Sequence, residues 1–223
     1  MGDDSEGRES SEGRFAVAFP SGVRRVRNAT AAQVTDRFLD VVVILEAHHG
    51  ELVVRMPGWE AVFLGAGEEK AVYCLRDPQD RVVAVELIDE RGYLGGRLVD
   101  GRYHAELRVP GVILDADEEL AGPFALRCTG LVKVREFVHG YEWSRFCFDP
   151  RRPSVLDRVL TAWLRLRLGT AMDGYRARYD DVHERNVLFE LRPARAHGVL
   201  VLVRDLSGRW RWARVGLRPL DLR

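Results

Sequence analysis

Lysine is almost missing from this chain. Of its 34 basic residues only Lys70 and Lys133 are lysines, so a site that needs an ammonium can draw on two positions. Cysteine is scarce as well. Cys74, Cys128 and Cys147 are odd in number, widely spaced and part of no metal-ligand motif, and the expectation is buried thiols in a reducing cytosol. The histidines, His48-His49 among them, show no H-x₃-H or H-E-x-x-H spacing, so no zinc is expected. There is no G-x-S-x-G and no Cys/His pattern of a hydrolase. No apolar run approaches the ~20 residues of a membrane span. No basic segment followed by an apolar stretch opens the chain, so neither a signal peptide nor a membrane partner is expected, and the chain is read as cytoplasmic. Met1-Gly2 begins like a myristoylation signal, but Glu6 stands in the Ser/Thr place. Formal net charge is zero, which removes any global field toward nucleic acid or anionic membrane. Nucleic acid is not an expected partner.

What is present is apolar pattern. With 223 residues and 46% hydrophobic content, the chain can bury one substantial core, or two small lobes sharing a cleft. Residues 1–14 are Gly, Ser and charge, expected as a disordered tail. Residues 15–57 read as an N-terminal extension. Within it 30–47 carries near-helical spacing, although the β-branched run Val41–Ile44 fits a strand equally. Residues 58–138 are β-rich. ELVVRM just before them and WEAVFLG, KAVYCLRD and RVVAVELID within them read as strands, and two more lie in 123–138. A short helix over 97–109 is weakened by Gly101. Residues 139–223 read as a helical part carrying a β-hairpin. Pro153-Ser154 opens a helix with Asp157 three residues past the cap. Leu156, Val159, Leu160, Trp163, Leu164 and Leu168 form its apolar stripe, expected to face the core. Strands are expected over 186–192 and 198–204.

Two stretches in this last part carry chemistry. Asp181 and Asn186 stand five residues apart before an apolar run, and a second run, Val201–Val203, ends in Arg204-Asp205. Phosphoryl transfer uses such groups: one carboxylate orients the attacking hydroxyl, while an amide oxygen and a second carboxylate hold Mg²⁺ against the phosphates. Further upstream, Gly65-Ala66-Gly67-Glu68-Glu69-Lys70-Ala71-Val72-Tyr73 sits between two expected strands, and paired glycines let backbone approach a phosphate. Val83-Ala84-Val85-Glu86 follows, then Val132 to Gly140.

In this order the segments resemble the protein-kinase-like superfamily over roughly residues 58–208: G-x-G-x-x-G-x-V, V-A-I-K, hinge, D-x-x-x-x-N and D-F-G. The resemblance implies an α+β, two-lobed kinase-like fold with a truncated C-terminal lobe. It implies ATP held by Gly65, Gly67 and Lys70, with Glu136 and Val138 at the adenine. Asn186 and Asp205 would bind Mg²⁺, and Asp181 would be the base. Departures accompany it. Glu86 replaces the lysine of the third strand, so Lys70 is placed as in the with-no-lysine kinases. Glu86 faces solvent, or pairs with Lys70 or a nearby Arg. Glu106 stands where that lysine's ion-pair partner is often found. Tyr179-Asp180 replaces His-Arg, and Asp-x-His-x-x-Asn is more similar to the loop of aminoglycoside and choline phosphotransferases, with His183 holding the loop. Only fifteen residues follow Gly208, too few for a peptide-docking platform.

Two readings follow. One is a Mg·ATP-dependent phosphotransferase acting on an unidentified hydroxyl acceptor. The other is an inactive pseudokinase serving as a binding or scaffolding module for a protein partner. Trp210, Trp212 and the neighbouring arginines could stack on nucleic acid, but packing of the indoles against the lobe under a cover of Arg is the expectation.

Overall fold

The computed structural model describes residues 14–38, 42–46, 51–54, 56–66, 70–88, 103–106, 113–114, 125–129, 132–179 and 182–220. Alternating apolar and polar residues dominate these segments, and most of them are strand. In chain order the strands are β1 (Phe15–Phe19), β2 (Gly22–Asn28), β3 (Val42–Glu46), β4 (Glu51–Val54), β5 (Glu60–Ala66), β6 (Lys70–Arg76), β7 (Arg81–Ile88), β8 (Tyr103–Glu106), β9 (Ile113–Leu114), β10 (Ala125–Thr129), β11 (Val132–Arg135), β12 (Gly140–Glu142), β13 (Val187–Pro193), β14 (Val199–Arg204) and β15 (Trp210–Pro219). The long helix α1 spans Val155–Arg176. A short helical turn, Ala31–Gln33, continues as one π-turn, Val34–Phe38.

β7 organises the larger, eight-stranded sheet. Its run Val82-Val83-Ala84-Val85 and Leu87 is buried on both faces, as a central strand requires. One of its edges takes β6, which pairs onward with β5. The other takes β11 antiparallel and β2 in a short parallel contact, Arg27 and Asn28 opposite Arg81 and Val82. β10 and β9 continue from β11, and β1 from β2. Phe15, Val17, Phe19, Val26, Cys74, Val82 and Phe137 meet in its core. β4-β3-β8 form a three-stranded sheet, and β12-β13-β15-β14 form a four-stranded antiparallel one.

The two-lobed kinase-like fold with a helical C-terminal lobe is overturned. The C-terminal part is a four-stranded sheet with a single long helix packed on one face, where Leu164 and Met172 meet Val187, Phe189, Val201, Val203, Ala213, Val215 and Leu217. β15 makes the difference. Ala213, Val215, Leu217 and Pro219 bury alternate positions, a period-2 pattern concealed beneath the tryptophans and arginines between them. β15 then inserts between β13 and β14, so the expected hairpin does not form as a direct pair. Of the expected helices, 30–47 becomes a helical turn followed by β3, because the β-branched run Val42-Val43-Ile44 favours strand. Within 97–109 the described residues Tyr103–Glu106 are strand paired with β3.

α1 begins where the sequence places it. Asp157 accepts the Ser154 N–H (2.8 Å) and, with its other oxygen, the Phe148 N–H (3.2 Å). Thr161 accepts the Phe146 N–H (2.9 Å). These buried acceptors tie the incoming loop to the helix. The apolar stripe is divided between two faces: Leu160, Leu164 and Leu168 turn inward, whereas Leu156, Val159 and Trp163 are exposed with Val155 and Leu166.

Candidate functional site

Asn186 and Asp205 each sit in a local structural role of their own. Asn186 precedes β13, where its side-chain oxygen accepts the His183 N–H (3.0 Å), its own N–H bonds His183 O (3.2 Å), and its carbonyl accepts Leu220 N–H (2.8 Å). Asp205 opens the turn between β14 and β15. One carboxylate oxygen accepts the Ser207 hydroxyl (2.5 Å) and the Arg209 N–H (3.0 Å), and the other accepts Arg25 (3.2 Å). Gly208, at φ +88, completes that turn. Burial pushes the Asp205 carboxyl up, but Ser207, the Arg209 N–H and Arg25 outweigh it and hold the group below its ordinary range.

The two are not brought together. Val187, beside Asn186, pairs with Pro219 at one end of β15, and Arg204, beside Asp205, pairs with Trp210 at the other. Nine residue steps along a strand amount to about 30 Å. Two ligands of one Mg²⁺ stand within about 4 Å of each other. Asn186 and Asp205 therefore cannot share a metal ion, which corrects the expected Mg²⁺ pair. Among the described residues no cluster of His, Cys, Asp and Glu has the arrangement of a metal site.

On the expected nucleotide side, Gly65 and Lys70 lie on the paired strands β5 and β6 of the larger sheet. Gly65 lies in β5 at an irregularity opposite Val72, and a Cβ there would meet nothing within 4 Å. No other part of the described protein closely approaches this glycine where a side chain would stand. Lys70 begins β6 opposite Ile88, two residues along the strands from the Val72–Glu86 pair. Gly67 and Asp181 lie outside the described residues. Glu86 is buried and paired with Arg135 at 3.0 Å, so a nearby Arg is one partner found. Glu106 is in β8 opposite Val42. Glu136 accepts Asn28 (3.2 Å) and Arg218 (3.0 Å). Burial raises its pKa, Arg218 opposes that rise, and Glu190 adds to it. Val138 is partly buried just before β12. The expected hinge glycine, Gly140, is instead the first residue of β12. A Cβ on it would stand 2.0 Å from Phe189 O, so its bare backbone is what lets β12 lie against β13.

Glu136, Arg135, Arg25 and Asp205 thus form a polar seam between the two larger sheets. Arg135 also donates to Leu220 O, and Phe15 of β1 stacks on His139 at 4.7 Å. Burial, helped by Arg211 and opposed by Asp205, holds His139 down to about 3. Arg135, Glu136 and Arg25 each reach a group of the other sheet or its turns.

A feature the sequence reading placed wrongly lies on the outer face of the C-terminal sheet. Trp210 and Trp212 do not pack inward; they are 50% and 57% exposed. The cross-strand pairs Leu200–Arg214, Leu202–Trp212 and Arg204–Trp210 stand side by side on that face. The W-x-W spacing, with Ala213 and Val215 at alternate positions, is the signal that could have shown it.

Compared with protein-family models, curated proteins and solved structures, the chain finds no match.

Proposed function

We propose that this chain is a non-catalytic binding module. The observation that carries this reading is the separation of Asn186 from Asp205 along β15, about 30 Å, with the side-chain oxygens of both engaged in turn hydrogen bonds. A phosphoryl-transfer site needs those oxygens converged on one cation. Glu86, neutralised by Arg135 within the sheet, offers nothing to a triphosphate. The surface left to act through is the exposed apolar and basic one. A cytoplasmic setting belongs to the same proposal: Cys74 and Cys147 are free and buried, and among the described residues no helix is long and apolar enough to cross a membrane.

Thermal unfolding with and without Mg·ATP tests it, on the wild type, Lys70→Ala and Asp205→Asn. The expected result is the same melting temperature with and without nucleotide in each protein, and no ATP turnover. A Mg²⁺-dependent nucleotide shift in the wild type that Asp205→Asn abolishes would overturn the reading.

A further inference from the structure

The charge of this chain is divided although its sum is zero. Residues 1–139 carry 17 basic and 24 acidic side chains, net −7, and residues 140–220 carry 16 basic and 9 acidic, net +7. The basic part contains the sheet face that exposes Trp210 and Trp212. From these two observations we propose that the outer face of β14 and β15 binds single-stranded nucleic acid, the indoles stacking on bases and the arginines meeting phosphates.

The geometry follows from the pleat. Leu200, Leu202 and Arg204 on β14 stand opposite Arg214, Trp212 and Trp210 on β15. Same-face neighbours on one strand are about 7 Å apart, and adjacent strands about 5 Å, so this face is a small platform with two large flat rings. Stacking is indifferent to base identity, because every base has a π-face. Trp210 is held in orientation: the Arg204 guanidinium lies 5.8 Å from its ring centre, and Phe148 stacks against it at 6.5 Å. Trp212 has more of its surface open.

The arginines are positioned as well. Arg204 pairs with Asp149 at 3.3 Å and donates to Gly208 O, keeping further N–H groups. Arg214 donates to Ala194 O and Gly198 O. Carbonyls fix its guanidinium without cancelling its charge. Arg209, in the turn beside Trp210, is exposed. None of the six face residues is acidic. Unpaired bases are the partner the exposed aromatic rings call for.

This inference rests on the non-catalytic reading and names its partner. The test titrates the full-length chain into fluorescein-labelled single strands of about 15 nucleotides, DNA and RNA, and into the matching DNA duplex. Anisotropy and tryptophan fluorescence are read from about 50 to about 200 mM salt. Expected are saturable binding of a single strand, quenching of tryptophan emission, and affinity that falls steeply with salt. Trp212→Ala weakens binding about tenfold, Trp212→Phe restores most of it, and both keep the wild-type circular dichroism. Three results would each overturn the proposal: no anisotropy change at the lowest salt, duplex bound as tightly as single strand, or Trp212→Ala without effect. Light scattering covers the rival occupant. A mass that drops on Trp212→Ala, with no strand bound by the wild type, makes this face a contact between copies. ATP turnover by the same preparation sinks the non-catalytic reading; failed strand binding without turnover removes only the partner assigned here.

Discussion

Arg135 and Glu86 form an ion pair, 3.0 Å apart and buried on both sides, between neighbouring strands β11 and β7. The same guanidinium reaches Leu220 O, just beyond β15. Glu86 thereby anchors the arginine that ties the C-terminal end of the second sheet to the first. A kinase-like strand would carry its nucleotide lysine at this position, and here that position holds the seam.

Replacing Glu86 by Lys therefore does not create a phosphate site. It sets two cations together in a buried place and removes the arginine's carboxylate. Urea unfolding is expected to show a loss of about 3–5 kcal/mol, with no nucleotide-dependent shift in melting temperature. A stable variant that gains Mg·ATP stabilisation would contradict the assignment of Glu86 to the seam.

Asp205→Ala removes the acceptor for Ser207, the Arg209 N–H and Arg25 at once. Denaturant unfolding should show destabilisation of about 2–3 kcal/mol. Amide exchange should speed up in the turn and at its flanking strand ends, Arg204 and Trp210. Unchanged exchange there would remove Asp205 from its role in the turn.

Two glycines separate packing from chemistry. Gly140→Ala drives a methyl into Phe189 O, and the expected cost is at least about 3 kcal/mol, read as poor soluble yield or a sharply lowered urea midpoint. Gly65→Ala meets nothing and should change stability by no more than about 0.5 kcal/mol. Equal effects at the two positions would refute the close approach at Gly140.

His139 sets a pH dependence. Its folded pKa is lowered from 6.5 to about 3, so below pH 6.5 the unfolded chain binds a proton that the folded chain refuses. The stability associated with the neutral ring is complete above pH 6.5 and is lost progressively as pH falls toward 3, by an amount on the order of 5 kcal/mol. His139→Phe, which keeps an aromatic ring against Phe15, should flatten this part of the stability curve. An unaltered slope between pH 6.5 and 4 would refute it.

Much of the local structure was written along the chain. Alternation in KAVYCLRD and RVVAVELID marks β6 and β7, and Pro153-Ser154 with Asp157 marks the start of α1, because strand period and helix capping depend on residues within a few positions of one another. The exposed half of the α1 stripe was not legible, since a hydrophobic period reveals a face and not what covers it. The burial of Glu86 was equally hidden, because its partner is 49 residues away. The decisive case is the site itself. Asp181, Asn186 and Asp205 have a suggestive order, yet the distance between Asn186 and Asp205 depends on which strand lies between β13 and β14. If those two strands paired directly as an antiparallel hairpin, the residues would be neighbours. With β15 inserted, they stand at opposite ends of a sheet. The sequence by itself determined which segments are strands and which residues alternate into a core. Only the tertiary structure decided the order of those strands, because pairing is a choice among edges with similar hydrogen bonds, settled by which arrangement buries Ala213, Val215 and Leu217 under α1 and leaves Trp210 and Trp212 in water.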